Sequence, residues 1–389
     1  MIVSDRRLFV AVALTVFAVA AIVAAVHGYA GGPRAMDNFL VFRNSYVHLV
    51  EGTTLYGPHP GEHGACFEYS PTFAYLFAPI ALMPQWLGMG AWCLLNSLSL
   101  VAAILLLPLS NTRKLIVFAM IFLEACIMLQ NQESTGLRAA LMLLTFVCLE
   151  RRMASVAALC VVAGGFISVY GCAAGVLFLF YPHRVRSAFY MALWAAALFV
   201  LPLAVVSLDH LLWLYGQWWH DLSSGRGDSV GSSLSVTAVL AAWLKVQVNQ
   251  TLVQAAGIAA FVPVLFRVKC HDSLRYRLLT LATLLIWVVI FNHGAGSPAY
   301  VIAMTGIALW FVLEPFTPGR IAAAALAVVF TSVICTGVFP RAVRETWCAP
   351  YAIKAVPSIL VWAWAQWCLY TRRFAVRDGG SPALANQPD

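Results

Sequence analysis

Residues 8–26 carry no charged side chain, and Arg6 and Arg7 stand immediately before them. A helix of that length rises roughly 28 Å and covers the hydrocarbon core of a bilayer. The run is longer than a signal-peptide core, so it reads as an uncleaved span. Two arginines ahead of an apolar span hold that end in the cytoplasm. Every later segment is then placed by alternation. Apolar residues make up 62% of the 389 and charged residues 10%. A soluble domain carries about a quarter charged residues, so the chain reads as a polytopic membrane protein.

The net charge of +8 does not point to nucleic acid, because the basic residues form no single cluster. Sixteen of the 24 fall in short loops on one side: Arg6, Arg7, Arg113, Lys114, Arg151, Arg152, Arg184, Arg186, Arg267, Lys269, Arg275, Arg277, Arg320, Arg372, Arg373 and Arg377. That bias marks the cytoplasmic face. The spans read as about 8–27, 86–107, 115–129 and 136–149, then two short helices within 153–181. Further spans lie at about 187–206, 250–268, 277–292, 298–313, 321–338 and 354–371. The two short helices meet near Gly164, Gly165 and Ser168, because arginines flank both ends of 153–181. Broken helices at membrane depth need protein or a water-filled cavity over their free backbone groups.

The fold expected is therefore all-α, with about 12 transmembrane helices (10–12), both termini cytoplasmic and a single domain over residues 1–375. Residues 28–72 form a long first extracytoplasmic loop, and 208–247 a second outer region. Pro71–Met83 is apolar but short and is stopped by Pro84. Leu211–Trp219 reads as an interfacial helix anchored by Trp213, Trp218 and Trp219, followed by a flexible stretch from Ser223 to Asp228. Residues 376–389 read as a disordered cytoplasmic tail.

Acidic residues sort by side. Asp37, Glu51, Glu62, Glu68, Glu133, Asp209, Asp221, Asp228 and Glu345 fall outside, and Glu124 lies within a span. An acid at that depth costs about 2.5–3.5 kcal/mol on insertion scales and should face the protein interior. Most of the ten cysteines lie in apolar spans and act as small hydrophobes. Cys66 and Cys348 share a side, but sequence does not pair them. His59-x-x-x-His63, with Glu62 and Glu68, offers metal donors; Pro58, Pro60 and Gly61 oppose the helix that would align them. No metal and no cofactor are expected. Neither a P-loop nor a GxGxxG pattern is present.

Asp37, ten residues past the first span, is the acid best placed for chemistry at the outer surface. From there the chain reads Asp37, Phe42, Gly52, Leu55-Tyr56, Phe67-Glu68-Tyr69-Ser70-Pro71 and Pro84. This order resembles the first outer loop of glycosyltransferase family 87, within the GT-C class of polytopic membrane glycosyltransferases. Gln132 followed by Arg151-Arg152 is similar to the family's next element, and His293 with Tyr300 to a later one. Where the family often carries Ile-Lys near a broken helix, Ile167 is followed by Ser168, so the lysine is missing.

The resemblance implies transfer of a sugar, typically mannose, from a polyprenyl-phosphate donor to a lipid or glycan hydroxyl on the outer side of the cell membrane. Asp37 would be the general base, taking a proton from a hydroxyl that is otherwise a poor nucleophile. Substrate-binding candidates are Tyr56, Tyr69, Gln132, His293 and Arg43; Arg226 and Arg341 are further partners for the leaving phosphate. The competing reading is a transporter or lipid flippase. It would show internal repeats and several interior charges, and the sequence has neither. Loss of the lysine also leaves room for an enzyme-like protein that no longer binds donor.

Overall fold

The computed structural model describes residues 5–224, 233–246, 248–336, 339–371 and 374. The expected tail at 376–389, with Arg226, Asp228, Arg372, Arg373 and Arg377, lies outside the described residues. Among the described residues every regular element is helical.

Helix α1 (Arg6–Ala30) begins at Asp5, whose carboxylate accepts the N–H groups of Arg7 and Leu8 at 2.9 and 3.2 Å. Within the expected first loop lies α2 (Asp37–Glu51), which ends at Gly52 in the left-handed conformation that glycine adopts without a Cβ penalty (φ 70°). An irregular stretch leads to Ser70, which caps α3 (Pro71–Leu76); α4 (Ala78–Ala81) follows. Beyond Pro84 the chain forms α5 (Gln85–Leu106), α6 (Asn111–Gln130), α7 (Thr135–Glu150) and α8 (Ala154–Ile167). Later come α9 (Arg184–Val200), α10 (Leu208–Ser224), α11 (Val236–Leu244) and α12 (Gln250–Leu265). The chain closes with α13 (Leu274–Ile290), α14 (Tyr300–Leu313), α15 (Pro318–Ala327), the short α16 (Arg341–Val343) and α17 (Val356–Thr371).

Among the described residues three helices are long and apolar enough to cross a membrane: α1, α5 and the run Arg184–Ala204. Arg341–Cys348 with Ile353–Thr371, bent by 79°, makes a fourth if taken as one span. Only 11% of the apolar window of Arg184–Ala204 is buried, and Val185, Phe189 and Leu193 stand exposed. An apolar face left so open needs lipid rather than water beside it.

The core is the hairpin of α13 and α14, buried along nearly its whole length against α6, α7 and α17. The expected break falls at Ser168, which is extended (φ −156°). A 3-10 helix (Val169–Phe180) returns from it and packs along α8. The return is tight because glycines face each other: a Cβ on Gly171 would collide with the carbonyl of Gly164.

Hydrogen bonds gather alternate loops at opposite ends of the bundle. At one end Asn38 meets Asn131, Tyr69 meets Glu133, Ser70 meets Phe166, Thr135 meets Pro298 and Lys354 meets Ser297. At the other, Arg277 binds Glu150 through two nitrogens (2.7 and 2.9 Å), and Arg275 and Arg320 both reach Glu314 (3.1 and 2.6 Å).

Candidate active site

Asp37 is the first residue of α2, where a carboxylate is favoured by the helix dipole. It does not cap its own helix. Its Oδ1 accepts the N–H of Gly64 at 2.7 Å and its Oδ2 that of Ala65 at 2.9 Å. A carboxylate has about four acceptor positions, so two remain for a substrate hydroxyl. The side chain is half-buried, and a Cβ on Gly64 would sit 3.6 Å from Oδ2 in ordinary contact, so a bare glycine opposite keeps that face open.

Asn44 and His48 lie seven and eleven residues beyond Asp37, on the same face of the helix. Both reach Glu62: Asn44 Nδ2 donates at 2.9 Å, and His48 Nε2 lies 3.0 Å from Oε2. The stripe Asp37–Asn44–His48 thus clasps residues 59–65 along α2. Burial works to raise the Glu62 pKa, but the His48 hydrogen bond and charge outweigh it and hold the carboxyl below its usual value. His59 stacks on His48 with ring centroids 4.3 Å apart, and burial followed by the neighbouring imidazoles lowers its pKa.

The motif residues after the loop mostly pack. Phe42 is the hub, with its ring 4.9 Å from Tyr69, 5.5 Å from Phe73 and 5.4 Å from Trp92. Tyr56 is buried and donates to the Tyr69 carbonyl at 2.9 Å. The Tyr69 hydroxyl meets Glu133 at 3.2 Å and Ser134 at 3.3 Å, with Arg138 adding an opposing charge. Burial raises the pKa of both tyrosines, so their hydroxyls stay protonated donors. Ser70 donates to the Phe166 carbonyl at 2.6 Å, which docks the motif on the end of α8.

Gln132 is buried with a left-handed backbone (φ 49°), and its amide closes onto the Gln130 carbonyl. Its own carbonyl accepts the Trp92 indole at 2.7 Å. Arg43 is half-buried, with a buried Nε that has no hydrogen bond. His293 stands in a second cluster, where Gln254 Nε2 lies 2.7 Å from both His293 Nδ1 and the Tyr170 hydroxyl. Tyr170 lies two residues past Ser168, so Gln254 links His293 to the segment that follows the helix break. Arg341 is exposed and pairs with Glu345 instead. Cys66 and Cys348 are not joined in a disulfide.

Helix α10 is more than an anchor. Gln217 accepts from Thr54 at 2.9 Å and Trp218 donates to the Glu68 carbonyl at 3.3 Å, so the helix lies over the loop. Trp219 is 72% exposed. Two cavities lie elsewhere. One of about 1150 Å³ is bordered by Arg184, Arg186 and His271, and one of about 290 Å³ by Trp243, Leu360 and Trp364. Neither touches Asp37.

Sequence reasoning passed over Asn44, His48, Gln254 and Lys354. The first two were within reach, since i+7 and i+11 spacing from Asp37 marks one helix face.

A model of glycosyltransferase family 87 matches residues 67–291, more than half of the chain. The match begins after Asp37 and covers Tyr69, Gln132 and the helix break, stopping two residues short of His293. No curated protein sequence matches the chain. With a match of that extent on an all-helical bundle whose apolar helices suit a bilayer, the chain belongs to glycosyltransferase family 87 and is a membrane-embedded glycosyltransferase.

Proposed function

We propose that the protein transfers a sugar, mannose by our reading, from a polyprenyl-phosphate donor to a lipid or glycan hydroxyl outside the cell membrane, with Asp37 as general base. The observation that carries this reading is the Asp37 carboxylate. It is half-exposed, oriented by two backbone N–H groups, and set at the bundle end where the loops converge. A carboxylate so fixed needs no reorganisation to receive the acceptor's proton. The phosphate leaves already anionic, so it calls for positive or N–H partners rather than an acid. His293 with Tyr170 and Gln254 is the group we assign to it, and Arg43, the arginine of α2, is a further candidate.

About twelve spans with both termini in the cytoplasm suit this reading. The alternation of loop contacts between the two ends supports that topology, with α8 and the returning 3-10 helix counted as two short crossings. Glu124, buried within α6, is held by Lys354, which offers little to a transporter mechanism.

The test is direct. Membranes holding the full chain receive labelled polyprenyl-phosphate mannose and a lipid-extract acceptor, with a nucleotide-linked mannose in parallel. Label entering the acceptor from the lipid-linked donor alone supports the proposal. Transfer from the nucleotide sugar alone overturns it.

A further inference from the structure

We propose that His48, His59 and Glu62 form a binding site for a borderline divalent cation of the zinc type, on the loop beside Asp37. Sequence spacing suggested His59 with His63 and argued against a site. The fold changes the set. His63 turns its Nδ1 to the Ala65 carbonyl at 2.7 Å, and His48 arrives from α2 in its place.

One donor atom from each of His48, His59 and Glu62 lies within 4.8 Å of the other two. A tetrahedral cation with bonds of about 2.0–2.1 Å sets its ligands roughly 3.4 Å apart, so the trio is a small side-chain adjustment from closure. The His48–Glu62 pair is already at 3.0 Å. His59 Nε2 is buried with no hydrogen bond, while the backbone of Thr54 hydrogen-bonds the same ring. That arrangement leaves Nε2 as the His59 ring nitrogen without a hydrogen-bond partner.

The surroundings resemble those of a ligand set. Asn44 holds the Glu62 carboxylate at 2.9 Å, as outer partners orient metal ligands. Pro58 and Pro60 bracket His59 and stiffen its backbone. Two imidazoles and one carboxylate select zinc-like ions over magnesium or calcium, which prefer all-oxygen sites. Three protein ligands leave a fourth position for water. The ion would pin residues 59–62 to α2, and the same loop delivers Gly64 and Ala65 to Asp37. It would therefore act as a positioning element.

The full chain, purified in detergent without a polyhistidine tag and treated with chelator, is titrated with Co²⁺ and then Zn²⁺. The expected result is one equivalent of Co²⁺ with visible absorption bands, displaced by Zn²⁺, and a rise in melting temperature with Zn²⁺. His48→Gln, His59→Gln and Glu62→Gln each weaken binding by at least about 100-fold, while His63→Gln stays within about threefold. Glu62 is exposed, so its variant keeps the test readable if a histidine variant fails to fold. Wild-type binding no stronger than in Glu62→Gln, or equal loss in His63→Gln, overturns the proposal. Binding is read without transfer, so its failure leaves the transferase reading intact.

Discussion

Lys354 and Glu124, 230 residues apart, form a buried ion pair in which Nζ lies 3.0 and 3.1 Å from the two carboxylate oxygens. The same ammonium donates to Ser297 at 2.8 Å and sits 5.1 Å from the Tyr300 ring centroid. It joins α6, the turn before α14 and the approach to α17. Breaking such a pair leaves an uncompensated buried charge and costs about 3–5 kcal/mol. Lys354→Met should therefore lower stability strongly in a detergent unfolding assay. Glu124→Leu with Lys354→Met should recover most of the loss; a double variant as weak as the single would contradict the pairing.

Gly171 has no room for a side chain, because the Gly164 carbonyl occupies the space. Gly171→Ala should destabilise by about 1–3 kcal/mol, the usual cost of overpacking. Gly61→Ala, with nothing within 4 Å, should stay within about 0.5 kcal/mol. Melting curves of the two variants check the difference.

Cys66 is an exposed thiol in the loop next to Asp37. In intact cells a membrane-impermeant maleimide should label it, in a Cys348→Ser background that removes the half-buried thiol of the segment before α17. Cys66→Ser should abolish the signal. Labelling that appears only after permeabilisation would reverse the proposed orientation.

His271 stands at the opposite end, packed on Phe180 and Tyr276, with Nε2 3.0 Å from the Leu265 carbonyl. Burial lowers its pKa. The Leu265 carbonyl and Asp272 act the other way, and Arg184 and Arg277 reinforce the lowering. A depressed imidazole favours the neutral folded form, so its contribution is complete above about pH 6.5 and is lost as pH falls below that. Melting temperature measured from pH 7.5 to 5 should fall less steeply in His271→Gln than in the wild type.

Much of this fold can be read directly from residues. The break at Ser168 follows from arginines at both ends of 153–181, since one crossing cannot return both flanks to the same side. The hydrophobic runs locate each long helix within a few residues for the same reason, lipid being indifferent to sequence detail. What escapes is pairing at a distance. Nothing local says that Lys354 answers Glu124, or that residues 59–65 fold back on α2. The first loop reads only as a loop, and α2 within it goes unassigned. Without that helix the stripe from Asp37 to His48 had no geometry, and His63 seemed the natural partner of His59. Gln132 looked available for a sugar, because its left-handed backbone and self-closed amide leave no mark in composition.

The account turns on the Asp37 carboxylate as proton acceptor, and Asp37→Asn tests it most directly. Asparagine keeps one carbonyl oxygen for the Gly64 or Ala65 N–H, so folding should survive with a loss of about 1–2 kcal/mol. Transfer from lipid-linked mannose should drop by about 10²–10⁴-fold, the usual contribution of a general base. A folded variant that transfers within threefold of the wild-type rate would contradict the account.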